Sequence, residues 1–270
     1  MVVLLASASA PQAHGAALVV PDDLPTIQSA LDTGVDTVLV RPGVYSETPI
    51  VWGPVSLIGL RGGPDGPAPV LPALTIWVAP SEAPPLFSFQ DLEVTGRVLT
   101  ISDRGACDIA FARCALLGGV SDSSSLMDTR DFTLIGCRIV GRVDLWARGR
   151  VIVDSCDVTG IVAGHGPDYE LIVRSSVLRH GGVYSSSHGR CTVTGNTILH
   201  GVYGVSLHAD NTTVSNNVIE GCQSYGIYAG RSRVTLMDNI ISRCGGGIWA
   251  QSSYGLAVAR NMISEIRGTG

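Results

Sequence analysis

The feature that most constrains this chain is a sequence repeat near its C-terminus. The stretch VSNNVIEGC at residues 214–222 returns as LMDNIISRC at 236–244 and as VARNMISEI at 258–266, each time after 22 residues. A repeat of this length indicates structural modules that cannot bury an apolar face alone and must stack on one another. The period therefore predicts a solenoid before any single residue is considered.

The repeat extends over most of the chain. An anchor position recurs at spacings of 22, 23, 19, 20, 20, 21, 22 and 22 residues, and the residues three before and two after it are always large and apolar; the anchors are Leu92, Cys114, Cys137, Cys156, Ser176, Asn196, Asn217, Asn239 and Asn261. Such short apolar runs, broken by Gly, Ser, Asn and Asp, are typical of strands of three to five residues rather than of helices. Stacked turns pair each strand in parallel with its copy about 4.8 Å away. We therefore expect an all-β fold, a single-stranded right-handed parallel β-helix.

The anchors predict what happens at one corner of each turn. Asparagine tolerates unusual φ/ψ at a bend, and stacked amides can hydrogen-bond to one another for roughly 1 kcal/mol net each. The chain has seven cysteines and no CxxC spacing, which indicates neither a zinc site nor a complete disulfide framework. Cys114, Cys137 and Cys156 stand in the anchor slot, and Cys222 and Cys244 share another, so we expect stacked, buried free thiols, with a disulfide or a reactive cysteine as the alternative.

The segment before the repeats has a different pattern. Ile27, Ala30 and Leu31 share one face of a short amphipathic helix that follows Pro25 and ends at Gly34, and this helix should cap the open end of the coil. The stretches PTIQSAL, DTVLVRPGVYSE and VSLIGL resemble the opening of pectin lyase-like right-handed β-helix proteins, and with the repeats the resemblance covers about residues 19 to 266. It implies a β-helix over residues 19–270, with a cap at about 19–45 and repeats at about 86–266. It also implies that functional groups lie on the outer face of one sheet, in a groove that holds an extended polysaccharide.

The two ends of the chain and its net charge indicate where the protein is located and which partners it can have. Residues 1–18 contain a short apolar run and two small-residue cleavage sites, which predict a signal peptide or a disordered N-terminus and hence a secreted or extracytoplasmic protein. No later apolar run reaches about 18 residues, so no transmembrane segment is expected. The chain ends at IRGTG directly after a repeat without a visible cap, which leaves an end where an assembly partner could bind. The net charge is -5 and all 18 basic residues are Arg without clustering, so nucleic acid is not an expected partner.

Four residues are candidates for catalysis. Asp122 and Asp144 lie 22 residues apart, and GGVSDSSSL and GRVDLWARG resemble the two aspartate segments of pectin methylesterases, which implies an acid and a nucleophile on neighbouring turns. The glutamine and Arg-Pro-Trp elements of those esterases are absent, so solvated surface aspartates are the alternative. His180 and His200 each follow an anchor by four residues; such a stacked pair could abstract a proton beside a uronate carboxylate or bind a metal, or could simply occupy turns.

A third histidine, His165, lies in a short motif. Gly164-His165-Gly166 resembles a polygalacturonase motif, but the paired carboxylates and basic element of that family are absent, and we expect a loop.

Four further residues are candidates for binding. Tyr184, Ser206, Tyr228 and Trp249 each follow an inward aliphatic residue, so strand alternation directs them outward in one column. Exposed aromatic rings can carry sugar rings, or can stack across strands and stabilise the sheet. The sequence therefore favours an exported β-helix protein that binds polysaccharide or has a structural surface role, without cofactor or metal. The alternative is a divergent carbohydrate-active enzyme, a uronate lyase, an epimerase or a pectin-esterase-like protein, acting on an acidic polysaccharide.

Overall fold

The structure is a computed structural model that describes residues 17–268 except 63–65, 80–83, 103–105, 123–127, 147, 167–168, 186–188, 232 and 252–253. The predicted signal peptide lies outside the described residues except for its last two positions. No helix within the described ranges has the length and apolar character needed to cross a membrane.

The described chain forms a parallel β-solenoid of three sheets. Each coil contributes one strand to sheet A, then one to sheet B, then one to sheet C, and every strand pairs in parallel with its equivalent in the neighbouring coil. Sheet A contains Ala17–Val20, Thr37–Val40, Val55–Gly59, Leu86–Gln90, Ala106–Ala112, Asp128–Ile135, Arg150–Asp154, Glu170–Arg174, Arg190–Thr194, Thr212–Ser215, Val234–Met237 and Ala257–Ala259. Sheet B contains Val70–Leu71, Glu93–Val94, Ala115–Leu116, Arg138–Val140, Asp157–Thr159, Val177–Arg179, Thr197–Leu199, Val218–Glu220, Ile240–Ser242 and Met262–Ser264. Sheet C contains Ile50–Val51, Leu74–Val78, Val98–Ser102, Val120–Asp122, Val143–Trp146, Val162–His165, Val183–Ser185, Val205–Leu207, Tyr225–Gly230 and Gly246–Gln251. The expected all-β solenoid with a short N-terminal helix is confirmed.

The interior is built from stacked columns of like residues. Val193, Val214 and Leu236 are in register on sheet A, and each is fully buried. Several coils earlier in the same column, Phe89 and Phe111 stack with ring centroids 4.6 Å apart. Full burial of one such side chain stabilises the fold by about 1.5–3 kcal/mol. The apolar positions on either side of the anchors from Leu92 to Asn239 therefore form a single continuous core, whereas Val258 and Ile263 beside Asn261 are 50% and 45% exposed.

The anchors form a hydrogen-bonded ladder at the corner between sheets A and B. The side-chain oxygen of Asn217 accepts hydrogen bonds from the backbone N–H and the amide of Asn196, and its own amide donates to Asn239 Oδ1 at 2.9 Å. Ser176 and Cys156 continue the ladder, because each accepts the backbone N–H of the preceding anchor through its oxygen or sulfur atom. All seven cysteines are buried free thiols. The expected ladder is present, and the Cys156 thiol takes part in it.

The bend itself is made one residue earlier than the sequence pattern predicts. Left-handed backbone occurs immediately before the anchor, at Ser175, Asn216 and Asp238 with φ of 52°, 56° and 56°, and not at Asn217 or Asn239. The expectation that the anchor asparagine supplies the unusual φ/ψ was therefore wrong. The side chain of the anchor is needed inside, where it satisfies buried backbone groups, so the residue before it takes the strained conformation.

A five-residue helix, Ile27–Leu31, precedes the second strand of sheet A. Thr26 is its N-cap, with the Thr26 hydroxyl accepting from the Ser29 N–H at 3.1 Å. The Glu47 carboxylate accepts from the N–H groups of Ile27 and Gln28 at 2.7 and 2.9 Å. Ile27 and Ala30 are fully buried, so the helix covers the apolar interior at this end as the sequence predicts.

Ion pairs connect neighbouring coils on the outside of the solenoid. Arg174 binds Asp154 at 2.7 Å, and Arg260 binds Asp238 at 2.7 Å, each pair spanning one coil. Because the arginine of each pair is at least half exposed, each pair contributes at most about 1 kcal/mol.

Candidate functional site

The outer face of sheet C carries the predicted binding residues in one register column. Tyr184 pairs with Ser206, Ser206 with Tyr228 and Tyr228 with Trp249, each on the next coil. The column continues in the other direction through Ala163 to Asp144. Since strand side chains alternate, all of these leave the sheet on the side away from the core.

A second outward column lies two residues further along the same strands. Trp146 and His165 are paired in it, and their rings stack with centroids 5.1 Å apart. His208 follows Ser206 by two residues and lies between Tyr184, at 6.4 Å, and Tyr228, at 5.3 Å between centroids. The two columns together form a row of rings along sheet C, which we call the aromatic belt; its members are Trp146, His165, Tyr184, His208, Tyr228 and Trp249.

The strongest ring contact is at the C-terminal end of the aromatic belt. Tyr228 and Trp249 stack with centroids 4.3 Å apart and an interplanar angle of 5°. Tyr203 and Tyr225 contact the edge of Tyr228 at 5.8 and 6.3 Å. Aromatic pairs at these separations are mutually stabilising. The cross-strand stacking that was the alternative to sugar binding is therefore present.

Charged groups surround Asp144 at the other end of the aromatic belt. Its Oδ1 lies 3.0 Å from His165 Nε2, and its Oδ2 lies 3.1 Å from Arg142 Nε. The His165 side chain is only 12% exposed, whereas Asp144 is 29% exposed and Arg142 is 55% exposed. A carboxylate beside an imidazole can orient the ring for proton transfer, and a nearby guanidinium can stabilise negative charge. This cluster is therefore the best placed acid–base group on the described part of sheet C.

The structure does not bring Asp122 and Asp144 together. Asp144 is in register with Ser121, whereas Asp122 is one residue further along and in register with the buried Thr100. Alternation then places the two carboxylates on opposite faces of sheet C. A spacing of 22 residues does not give the same register here, because this coil step is 23 residues long, as the pairing of Ser121 with Asp144 shows.

His180 and His200 lie at the corner between sheets B and C rather than on a sheet. Their rings stack with centroids 5.9 Å apart, and both residues have left-handed φ of 55° and 60°. A Cβ atom at Gly221, the equivalent residue of the next coil, would lie 2.6 Å from His200 Nδ1. Glycine therefore leaves room for the second ring, and the pair fits the turn positions that the sequence offered as an alternative.

The histidine corner and the aromatic belt meet in one recess. It has a volume of about 340 Å³, and His180, Tyr184, Ser206 and Arg142 contribute to its walls. Tyr203 completes the wall with a side chain that is 37% exposed. Of the predicted site residues, the structure thus gathers His180, Tyr184 and Ser206 in one place.

Sequence reasoning missed three members of the aromatic belt. His165 was assigned to a loop on the basis of its glycine neighbours, and Trp146 and His208 were not selected. All three stand two residues after an outward position of sheet C, and strand alternation applied one step further would have identified them. No group of three or more His, Cys, Asp or Glu side chains in the described ranges could hold a metal ion.

Comparison with known proteins gives a family for the second half of the chain. A search of curated proteins and a search of solved structures found no match. The family model for the right handed beta helix region matches residues 143–270, which contain all six rings of the aromatic belt. The same coils continue without interruption in the register of sheets A, B and C before residue 143. The chain is therefore a right-handed parallel β-helix repeat protein.

Proposed function

We propose that the protein is exported and binds an extended polysaccharide along the aromatic belt on the outer face of sheet C. The observation that carries this proposal is the unbroken row of rings from Trp146 to Trp249, which ends in the parallel stack of Tyr228 on Trp249. Aromatic rings provide apolar surface that a sugar ring can contact, and the partly exposed His165 and His208 provide hydrogen-bonding groups between them. A row that crosses several coils suits a long chain better than a single sugar.

The direction of the row supports a polymer as the ligand. Successive outward residues of one column are about 4.8 Å apart, because the coils are joined by backbone hydrogen bonds. The aromatic belt therefore spans roughly six coils between Trp146 and Trp249, or about 25 Å. A ligand that used only one ring would leave most of this surface without a function.

The experiment is a glycan array with the purified protein, followed by calorimetric titration with the best glycan. The substitution Trp249→Ala should weaken binding by about 2- to 13-fold, the equivalent of about 0.5–1.5 kcal/mol for one aromatic contact. Tyr254→Ala is the matched control, because Tyr254 is 77% exposed and lies before the last strand of sheet A, away from the aromatic belt.

Two results would count against this function. If no glycan binds, a structural or surface role becomes the better account of the belt. If Trp249→Ala and Tyr254→Ala both bind as tightly as the unmodified chain, the ligand lies elsewhere.

A second candidate function is supported by the cluster at Asp144. Its contacts with His165 and Arg142 provide a base, an orienting carboxylate and a cation within one stretch of sheet C. These are the groups needed to remove a proton beside a uronate carboxylate, as in a lyase or an epimerase. We propose this activity as the alternative, on an acidic polysaccharide lying along the same surface.

Turnover separates the two candidates. A lyase would release unsaturated uronate with ultraviolet absorbance, an epimerase would exchange solvent deuterium into the polymer, and an esterase would release methanol. His165→Gln should abolish any such activity while leaving glycan binding within about threefold. Activity that survives His165→Gln would exclude this cluster as the catalytic site.

A further inference from the structure

A recess at the corner between sheets A and B contains several arginine side chains. It has a volume of about 560 Å³ and is lined by Arg61, Asp91, Arg113, Arg138 and smaller residues. Three guanidinium groups and one carboxylate thus line the same recess. The whole chain carries a net charge of -5, so this local excess of positive charge is not a general property of the surface.

Asp91 can neutralise only one of the two arginines that bind it. Arg113 donates from Nε and Nη2 to the two carboxylate oxygens at 3.0 and 2.6 Å, and Arg61 donates from Nε at 3.1 Å. By contrast, Asp22 and Asp238 in other coils each bind a single arginine. The Asp91 side chain is 12% exposed, so the two guanidinium groups are fixed by a largely buried partner.

Arg138 adds a third positive charge to the same recess. Its side chain is exposed and makes no hydrogen bond or ion pair with any residue in the described ranges. Its neighbour on the next coil, Asp157, is bound to Arg179 at 3.3 Å instead. On the other side Ala115 separates Arg138 from Glu93, so the small side chain leaves the recess open.

The charges of the lining residues specify the ligand. Three arginines and one aspartate leave two positive charges, and Arg61 and Arg113 retain N–H groups that Asp91 does not use. Guanidinium groups hold tetrahedral oxyanions through paired, charge-assisted hydrogen bonds. We propose that this corner is a binding site for a doubly charged phosphate group, either free or carried as a monoester on a larger molecule. The site is independent of the aromatic belt, since the two use different corners and faces of the coil.

The test is a titration of the intact protein with inorganic phosphate at low ionic strength. The titration is monitored through the Nε–H signals of arginine in NMR spectra. Arg138→Gln should weaken phosphate binding by about tenfold, as expected for the loss of charge-assisted hydrogen bonds. This substitution removes no contact within the described fold, so the variant should remain folded. Arg97→Gln is the matched control. Arg97 is an exposed arginine directly before the sheet C strand Val98–Ser102, and it has no ion pair in the described ranges.

Two comparisons define the ligand. Binding should be weaker at about pH 5 than at about pH 8, because a phosphate monoester loses its second charge below a pKa of about 6. If glucose 6-phosphate binds more tightly than inorganic phosphate, the natural ligand is a monoester; if it binds equally or less tightly, it is the free anion. The proposal is overturned if phosphate does not bind, if Arg97→Gln weakens binding as much as Arg138→Gln, or if binding does not change between the two pH values.

Discussion

Replacing Asn217 with alanine tests the ladder that joins the coils. The Asn217 side chain is buried and makes five hydrogen bonds: its oxygen accepts two from Asn196, and its amide donates to Val193 O, Ser215 O and Asn239 Oδ1. All five are lost in the alanine variant. The backbone N–H of Asn196 then has no acceptor in a buried corner.

The expected cost follows from these contacts. Each neutral hydrogen bond contributes about 0.5–1.5 kcal/mol net, and a buried donor without a partner costs about 1–3 kcal/mol. A water molecule can enter the space left by the amide and restore part of this. We expect Asn217→Ala to lower the free energy of unfolding by about 3–5 kcal/mol.

Serine at the same position should be less harmful. Ser176 occupies the equivalent slot, where its hydroxyl accepts from Cys156 N at 3.1 Å and donates to Arg174 O at 2.8 Å. Asn217→Ser can form the same two bonds, so about half of the loss should be recovered.

The assay is urea unfolding followed by circular dichroism and by tryptophan fluorescence. Both signals are needed, because stacked repeats do not always unfold in one step. Gln223→Ala is the control, since Gln223 is an exposed amide without a side-chain hydrogen bond in the described ranges, and it should change stability by less than about 0.5 kcal/mol. The reasoning fails if Asn217→Ala costs less than about 1 kcal/mol, or if serine is as harmful as alanine.

Three further predictions concern close contacts, thiols and acid. Gly181→Ala should cost at least about 3 kcal/mol in urea unfolding, because the new Cβ would lie 1.8 Å from a backbone oxygen of the preceding coil, whereas Gly53→Ala meets nothing within 4 Å and should be nearly neutral. Burial raises the pKa of the Cys191 thiol, so this cysteine should react with a disulfide reagent only as fast as the coil opens, and labelling within seconds in native buffer would contradict its burial. Burial opposes ionisation of Asp91, but hydrogen bonds led by that of Arg113 outweigh it and lower the pKa. The stability that Asp91 adds is therefore present above about pH 4, the unfolded value, and is lost as the pH falls through the lower folded value; Asp91→Asn should flatten this part of the stability profile, and an unchanged profile would show that Asp91 does not contribute.

Much of the fold could be predicted from the sequence because one period controls it. The apolar residues around each anchor face inward, and Val214 and Leu236 are fully buried as the pattern predicts. The left-handed position was misplaced by one residue because asparagine suits both the bend and the interior, and the sequence does not say which use prevails. Only the buried backbone groups around Asn217 and Asn239, which need a side-chain partner, decide between them.

The candidate site was harder to predict because it depends on register between coils of unequal length. Tyr184, Tyr228 and Trp249 could be aligned, since each directly follows a recognisable inward residue. Asp122 and Asp144 could not, because a difference of one residue moves a side chain to the other face of the sheet. His165 was assigned to a loop because its flanking glycines indicate one, although the backbone there is paired with Trp146 on a strand.

The parallel stacking of the coils also fixes the spacing of side chains along the solenoid. The step between rings of one column is fixed at about 4.8 Å by the backbone hydrogen bonds and does not depend on which side chains occupy the column. Deleting one whole repeat, for example residues 196–216, would shorten the solenoid by one coil and leave the spacing between the remaining coils unchanged. The length over which sheet C can bind a partner is therefore set by the number of repeats. The side chain that each coil presents can change by a single substitution without altering that length.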